Sequence, residues 1–228
     1  IDVVGSRIVR KADWRTNPAH AFLVALSFKK WYPKWGKIGG QDYTEQGALF
    51  EQLTAETLRF IFPNWDIFPT GWSRTHTKKL NHVVSEVAAR LGEPTGEISR
   101  WTTDSANEAG LDILCHYPLG DGRPGTPVFL VQCASGGQWE DKLRTPDIRI
   151  WGRIVTFTGT PKKAFAMPYS LTDRDFVRVC NIVDGMLLDR YRILWPGRTN
   201  PDWISALLKA DLIKWLEPRV SKLPVDKI

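Results

Sequence analysis

Two short apolar runs, residues 111–117 and 128–133, constrain this chain more than any other feature of it. The first reads Leu-Asp-Ile-Leu-Cys-His-Tyr and the second Val-Phe-Leu-Val-Gln-Cys, each a strand's length and bounded by turn residues. Between them stand Asp121-Gly122 and Arg123-Pro124-Gly125. These are strong turn signals, because Gly reaches positive φ and Pro presets the bend. The runs are therefore predicted to be antiparallel neighbours. Asp112 opens the first strand behind Gly110, and Gln132 interrupts the end of the second. Antiparallel pairing brings these two polar side chains together at one edge of a sheet.

The rest of the chain supplies layers for that sheet. Residues 42–62 form the clearest helix, with Thr44 as N-cap, Glu45 in the first turn and Pro63 as the stop. Its apolar residues Phe50, Leu53, Leu58 and Ile61 recur at helical spacing. Glu51, beside Phe50, is tilted toward the core edge, whereas Glu56 reads as a solvated charge on another face. Residues 65–71 read as a strand ending in a turn, and 80–91 as a helix stopped by Gly92. Residues 21–28 and 154–157 are apolar stretches that suit either helix or strand. A helix is expected over about 139–150, broken by Pro146, then a strand over 163–168. A helix capped by Thr172 is expected to run to about 191, and a last one to open at Asn200-Pro201 and end near 216. The order implies an α/β (α+β) fold, a central mixed sheet flanked by helices.

Composition narrows the partners. A net charge of +6 and a pI near 9.3 suit a polyanion such as DNA or RNA, and suit equally a basic surface with no such role. Residues 29–40 alternate bases with aromatics: Lys29, Lys30, Lys34 and Lys37 stand among Trp31, Tyr32 and Trp35. They read either as a nucleic-acid surface, Lys on phosphate and Trp on bases, or as a loop whose rings cap the core. Lys78 and Lys79 close a polar loop that suits phosphate contact. Cys115, Cys133 and Cys180 have no metal-ligand spacing and read as free thiols of a reducing, cytoplasmic protein. No apolar run reaches the ~20 residues of a membrane span, so no membrane partner is expected.

Hydrolysis of a phosphodiester needs charge stabilisation at the phosphate and an activated water, which carboxylates holding Mg²⁺ supply. Phe50-Glu51 on a helix, Gly110-Leu-Asp112-Ile on a strand, and Val131-Gln132 at the end of the next resemble the PD-(D/E)XK nuclease superfamily, in its Mrr-like restriction endonuclease branch. The resemblance covers roughly residues 44–170. It implies a restriction-endonuclease-like mixed sheet acting on DNA in restriction or anti-phage defence. Glu51, Asp112 and Gln132 would be catalytic and would hold Mg²⁺, or Mn²⁺ in its place. On that reading residues 1–43 are an extension packed on the core, 44–170 the nuclease-like core, and 171–228 C-terminal helices packed on the same domain. Further subunits or domains of a defence system, or a second copy in a homodimer, are the other partners it implies. The chain begins at Ile1 rather than Met, which leaves room for a larger effector containing this domain.

One position departs from the family pattern. Two residues beyond Gln132, where the family places Lys, stands Ala134. Either the lysine has migrated, with Lys142 the candidate, or the domain is an inactive relative that binds nucleic acid or a partner protein. Asp104 reads as a cap or as a neighbour of the site. Gln138, Glu140 and Asp141 read as further metal donors or as the solvated start of a helix. His116 reads as a satisfied core histidine or as facing the site, His82 as a surface or core residue, and Cys133 has no His at a spacing that would make it a nucleophile.

Overall fold

The central strands are near-continuous apolar runs, so both faces of one sheet are buried, and helices cover each face. The structure, a computed structural model, describes residues 2–4, 7–9, 13–28, 43–70, 80–98 and 110–222. Strands β1 (Asp2–Val4) and β2 (Arg7–Val9) form a separate antiparallel hairpin. Helices α1 (Pro18–Phe28) and α2 (Tyr43–Ile61) follow, then β3 (Asp66–Pro69) and α3 (Leu80–Leu91). Next come β4 (Ile113–His116), β5 (Val128–Cys133), α4 (Ile148–Ile154) and β6 (Lys162–Ala166). The described residues end in α5 (Asp173–Val183), β7 (Gly185–Leu188), α6 (Arg190–Leu194) and α7 (Ala206–Val220). The main sheet has the order β3-β4-β5-β6-β7, antiparallel across β3, β4 and β5 and parallel from β5 to β7. It is the mixed, helix-flanked α+β arrangement expected. None of the helices among the described residues is long and apolar enough to cross a membrane.

One face of the sheet, carrying Ile113, Cys115, Val131, Cys133 and Ala164, packs on Phe22, Phe50, Leu53, Leu58 and Trp215 from α1, α2 and α7. The other face splits. Leu114 and Leu130 meet Val84 and Val87 of α3 and Trp151 of α4. Ala134, Phe165 and Leu187 meet Val179 and Val183 of α5. Phe50 is fully buried, so truncating it to Ala removes about 3–5 kcal/mol. Phe50 lies in the same core cluster as Val131 and Cys133 of β5, and Glu51 follows it directly in the chain.

Several boundaries differ from expectation for identifiable reasons. Thr44 lies inside the first turn of α2, which begins at Tyr43, and so is not its N-cap. The helix expected to reach 191 ends at Val183. Asp184 there adopts the left-handed conformation, and an added Cβ on Gly185 would meet the Lys163 carbonyl oxygen at 2.2 Å. Only Gly lets the chain pass that close to β6, and it does so to enter β7 as a fifth strand. The segment after 171 therefore contributes to the sheet as well as to the helical layer. Residues 139–150 divide into a 3-10 turn at Trp139–Lys142 and then α4, which Asp147 caps by accepting from the Arg149 and Ile150 amides. The last helix starts at Ala206 with Ser205 as N-cap, whereas Asn200 makes a turn by accepting from the Asp202 amide. Glu56 holds that cap, accepting from the Ser205 amide at 2.6 Å and its hydroxyl at 2.8 Å. It is therefore a structural acceptor rather than a free solvated charge.

Candidate functional site

The register of β4 and β5 builds the first half of the site. Ile113 pairs with Val131, so the next residues outward, Asp112 and Gln132, face each other. The Asp112 amide donates to the Val131 carbonyl at 2.9 Å, and the Asp112 carbonyl accepts from the Thr70 amide at 2.9 Å. Both side chains are buried. Asp112 Oδ2 accepts from the Cys133 amide at 2.5 Å and from Gln132 Nε2. Gly110, two residues earlier, is held at φ +51°. A side chain there would be strained by the backbone and would strike the Gln132 amide.

Helix α2 brings the second half from 61 residues away in sequence. Thr54, whose hydroxyl donates to the Phe50 carbonyl at 2.8 Å, lies beside the Cys133 thiol, and Glu51 lies one turn before it on the same face. The half-buried Glu51 carboxylate is thereby brought beside Asp112. Burial pushes Glu51 up to about 8, the Asp112 charge adds to the rise, and Lys142 opposes it. Burial likewise pushes Asp112 up to about 7, against the pull of the Cys133 amide and of Lys142. Two carboxylates thus share a dry corner with too little positive charge to keep both ionised. The Cys133 thiol is pushed well above its usual value by burial and then by Asp112 and Glu51, so it is no thiolate nucleophile at neutral pH.

Lys142 ends the 3-10 turn beyond β5 and is exposed. Its charge acts on both carboxylates, yet it makes no direct ion pair with a described carboxylate. Ala134 is buried against Leu143, Phe165 and Val179, so the position two beyond Gln132 is filled by apolar packing. Two polar contacts secure the connecting turn. Gln46 on α2 donates to the Ser135 carbonyl at 3.1 Å, and Thr145 bridges the Lys142 carbonyl and the Gln132 amide. Neither residue stood out in the sequence, since a lone Gln on a helix and a Thr before Pro carry no motif.

The donor types fit a hard divalent cation: two carboxylates and an amide oxygen, in a corner whose negative charge such an ion would relieve. No group of three or more His, Cys, Asp or Glu among the described residues forms a metal cluster. A cation here would depend on Gln132 as well as on Glu51 and Asp112.

The other sequence candidates scatter. Gln138, Glu140 and Asp141 line the exposed start of the 3-10 turn and make no cap hydrogen bond from Gln138. His116 lies at the opposite end of β4, its Nε2 3.1 Å from Asp66 Oδ2 while its buried Nδ1 has no partner among the described residues. His82 is exposed, 3.9 Å from Glu86. Lys29, Lys30, Lys34, Lys37, Lys78, Lys79 and Asp104 lie outside the described residues. Comparison with family models, curated proteins and solved structures returns no match.

Proposed function

We propose that this chain is a Mg²⁺-dependent DNA endonuclease of restriction or anti-phage defence type, acting in the cytoplasm. The observation that carries the reading is the convergence of Glu51, Asp112 and Gln132, from a helix and two strands, on one corner short of positive charge. Bound there, the cation would neutralise the scissile phosphate and lower the pKa of its water. Glu51 and Asp112 would supply its anionic oxygens and Gln132 a neutral one. The strand register sets Asp112 opposite Gln132, and Phe50, next to Glu51 in the chain, is buried in the core under the sheet. Lys142, whose field already reaches both carboxylates, would stabilise charge developing on the phosphate. The basic, aromatic residues from Lys29 to Lys37, with Lys78 and Lys79, would bind the DNA backbone, alone or in a homodimer.

Supercoiled plasmid with Mg²⁺ or Mn²⁺ tests the reading. Wild-type protein should nick or linearise it, and Asp112→Asn should abolish this. Equal cleavage by both, or none by either metal, would sink the proposal.

The apolar packing around Ala134 favours a second reading, an inactive module that binds nucleic acid or a partner protein within a larger defence system. DNA binding that weakens with salt and survives Asp112→Asn, without cleavage, would select it.

A further inference from the structure

A hydroxyl has one proton to give. Thr145 Oγ1 lies 3.0 Å from Gln132 Oε1 and 2.7 Å from the Lys142 carbonyl oxygen. Both neighbours are acceptors, so one of the two contacts is left without a hydrogen. Turning the Gln132 amide through half a circle resolves the conflict. Nε2 then donates to Thr145 Oγ1, and the hydroxyl gives its proton to the Lys142 carbonyl. The same rotation withdraws Nε2 from Asp112 Oδ2 and from the Cys133 carbonyl, which now lies 3.2 Å away. In its place Oε1 faces those two oxygens, an arrangement that is repulsive unless a cation lies among them.

The surrounding backbone leaves the amide little other freedom. A Cβ on Gly110 would fall 2.9 Å from Gln132 Oε1 and 2.9 Å from Thr145 Cβ. Gly110, Gln132 and Thr145 are therefore in close mutual contact. That contact confines the amide plane but does not decide which end of the amide points at Asp112.

We infer that Thr145 is a positioning residue of the metal site: its hydroxyl selects the orientation in which Gln132 presents Oε1, rather than Nε2, beside Asp112. The inference rests on the metal-dependent reading proposed above. The Thr145 amide also donates to the Lys142 carbonyl, at 2.9 Å. One residue thus joins the strand donor to the turn that carries Lys142. A Thr that merely closed the turn would use its backbone for that and leave the metal indifferent to its hydroxyl.

Mn²⁺ binding to the full chain, measured without DNA by electron paramagnetic resonance or calorimetry, tests the role. Thr145→Val keeps the shape and loses the hydroxyl. It should weaken Mn²⁺ by about tenfold, the lower end for outer partners of metal ligands. Thr145→Ser should recover most of that loss. In EDTA, Thr145→Val should melt close to wild type, whereas the rise in melting temperature on adding Mn²⁺ should shrink. Unchanged Mn²⁺ affinity in Thr145→Val, or equal losses in the Val and Ser variants, would overturn the inference. Asp112→Asn separates the two levels of failure. If wild type binds Mn²⁺ no better than Asp112→Asn, the metal reading has failed and the role of Thr145 falls with it. If wild type binds, Asp112→Asn does not, and Thr145→Val matches wild type, the metal reading stands and only the positioning role is lost.

Discussion

The two ends of β4 treat their acid groups in opposite ways. At the His116 end, Asp66 is matched: Arg90 Nη1 reaches its Oδ2 at 2.6 Å, His116 Nε2 lies at 3.1 Å, and the Arg90 guanidinium covers the Phe68 ring at 3.9 Å. At the Asp112 end, two carboxylates share a corner with one distant ammonium, and both are pushed up by burial. The first cluster is complete with the groups it has. The second brings together two acid groups that the protein cannot keep ionised together, a cost that a cation or cationic ligand would relieve.

The contrast predicts where function lies, and activity should break it most sharply. Glu51→Gln should cut Mg²⁺-dependent plasmid cleavage by about 100-fold or more, the scale of losing one group that stabilises developing charge. Asp66→Asn, a change of the same chemistry at the other end, should leave cleavage close to wild type. Comparable losses in both would mean that the variants report folding and not a site.

Stability against pH separates the ends next. Glu51 and Asp112 hold their protons more tightly in the folded chain than in the unfolded one, so unfolding releases protons and rising pH favours it. Their contribution is fully present below about pH 4, is lost as pH climbs, and is gone above about 8. Denaturant unfolding in EDTA should therefore show stability falling by a few kcal/mol across that window. Mg²⁺ should return part of it at the alkaline end. Flat stability in EDTA would mean that the two carboxylates are not held as described.

The Asp112–Gln132 pairing was legible in the sequence because turn signals between two strand-length apolar runs make them antiparallel neighbours, which sets their polar end residues side by side. Glu51 was legible only through Phe50, whose burial sets the orientation of α2. What lies between was not. Thr145 and Gln46 act through single hydrogen bonds across the fold, and no periodicity marks such contacts. Strand β7 was hidden because Met186, Leu187 and Leu188 continue the apolar spacing of α5; the break at Asp184 and the approach of Gly185 to β6 are tertiary facts. Glu56 looked solvated because the Ser205 cap it holds is 149 residues away.

Smaller effects sharpen the same contrast. Lys142→Met should lower cleavage by about tenfold, a little over 1 kcal/mol, if its field serves the reaction. It should also raise the Glu51 and Asp112 pKa values further, readable by carboxylate NMR. In EDTA at pH 8, Asp66→Asn should cost about 1 kcal/mol, a modest figure because the Arg90 pair is partly exposed. Glu51→Gln should instead stabilise the fold, by about 1 kcal/mol, since it removes a buried charge that lacks a partner. Opposite signs for these two carboxyl-to-amide changes, read as shifts in denaturant midpoint, would show that only one end is complete without a ligand.

Whether a divalent cation belongs at the Asp112 end is tested most directly by titrating Mn²⁺ into wild-type protein and into Glu51→Gln, in the absence of DNA. Saturable binding by wild type that Glu51→Gln weakens by tenfold or more is the expected result. No saturable binding at millimolar Mn²⁺, or identical isotherms for the two proteins, would contradict it.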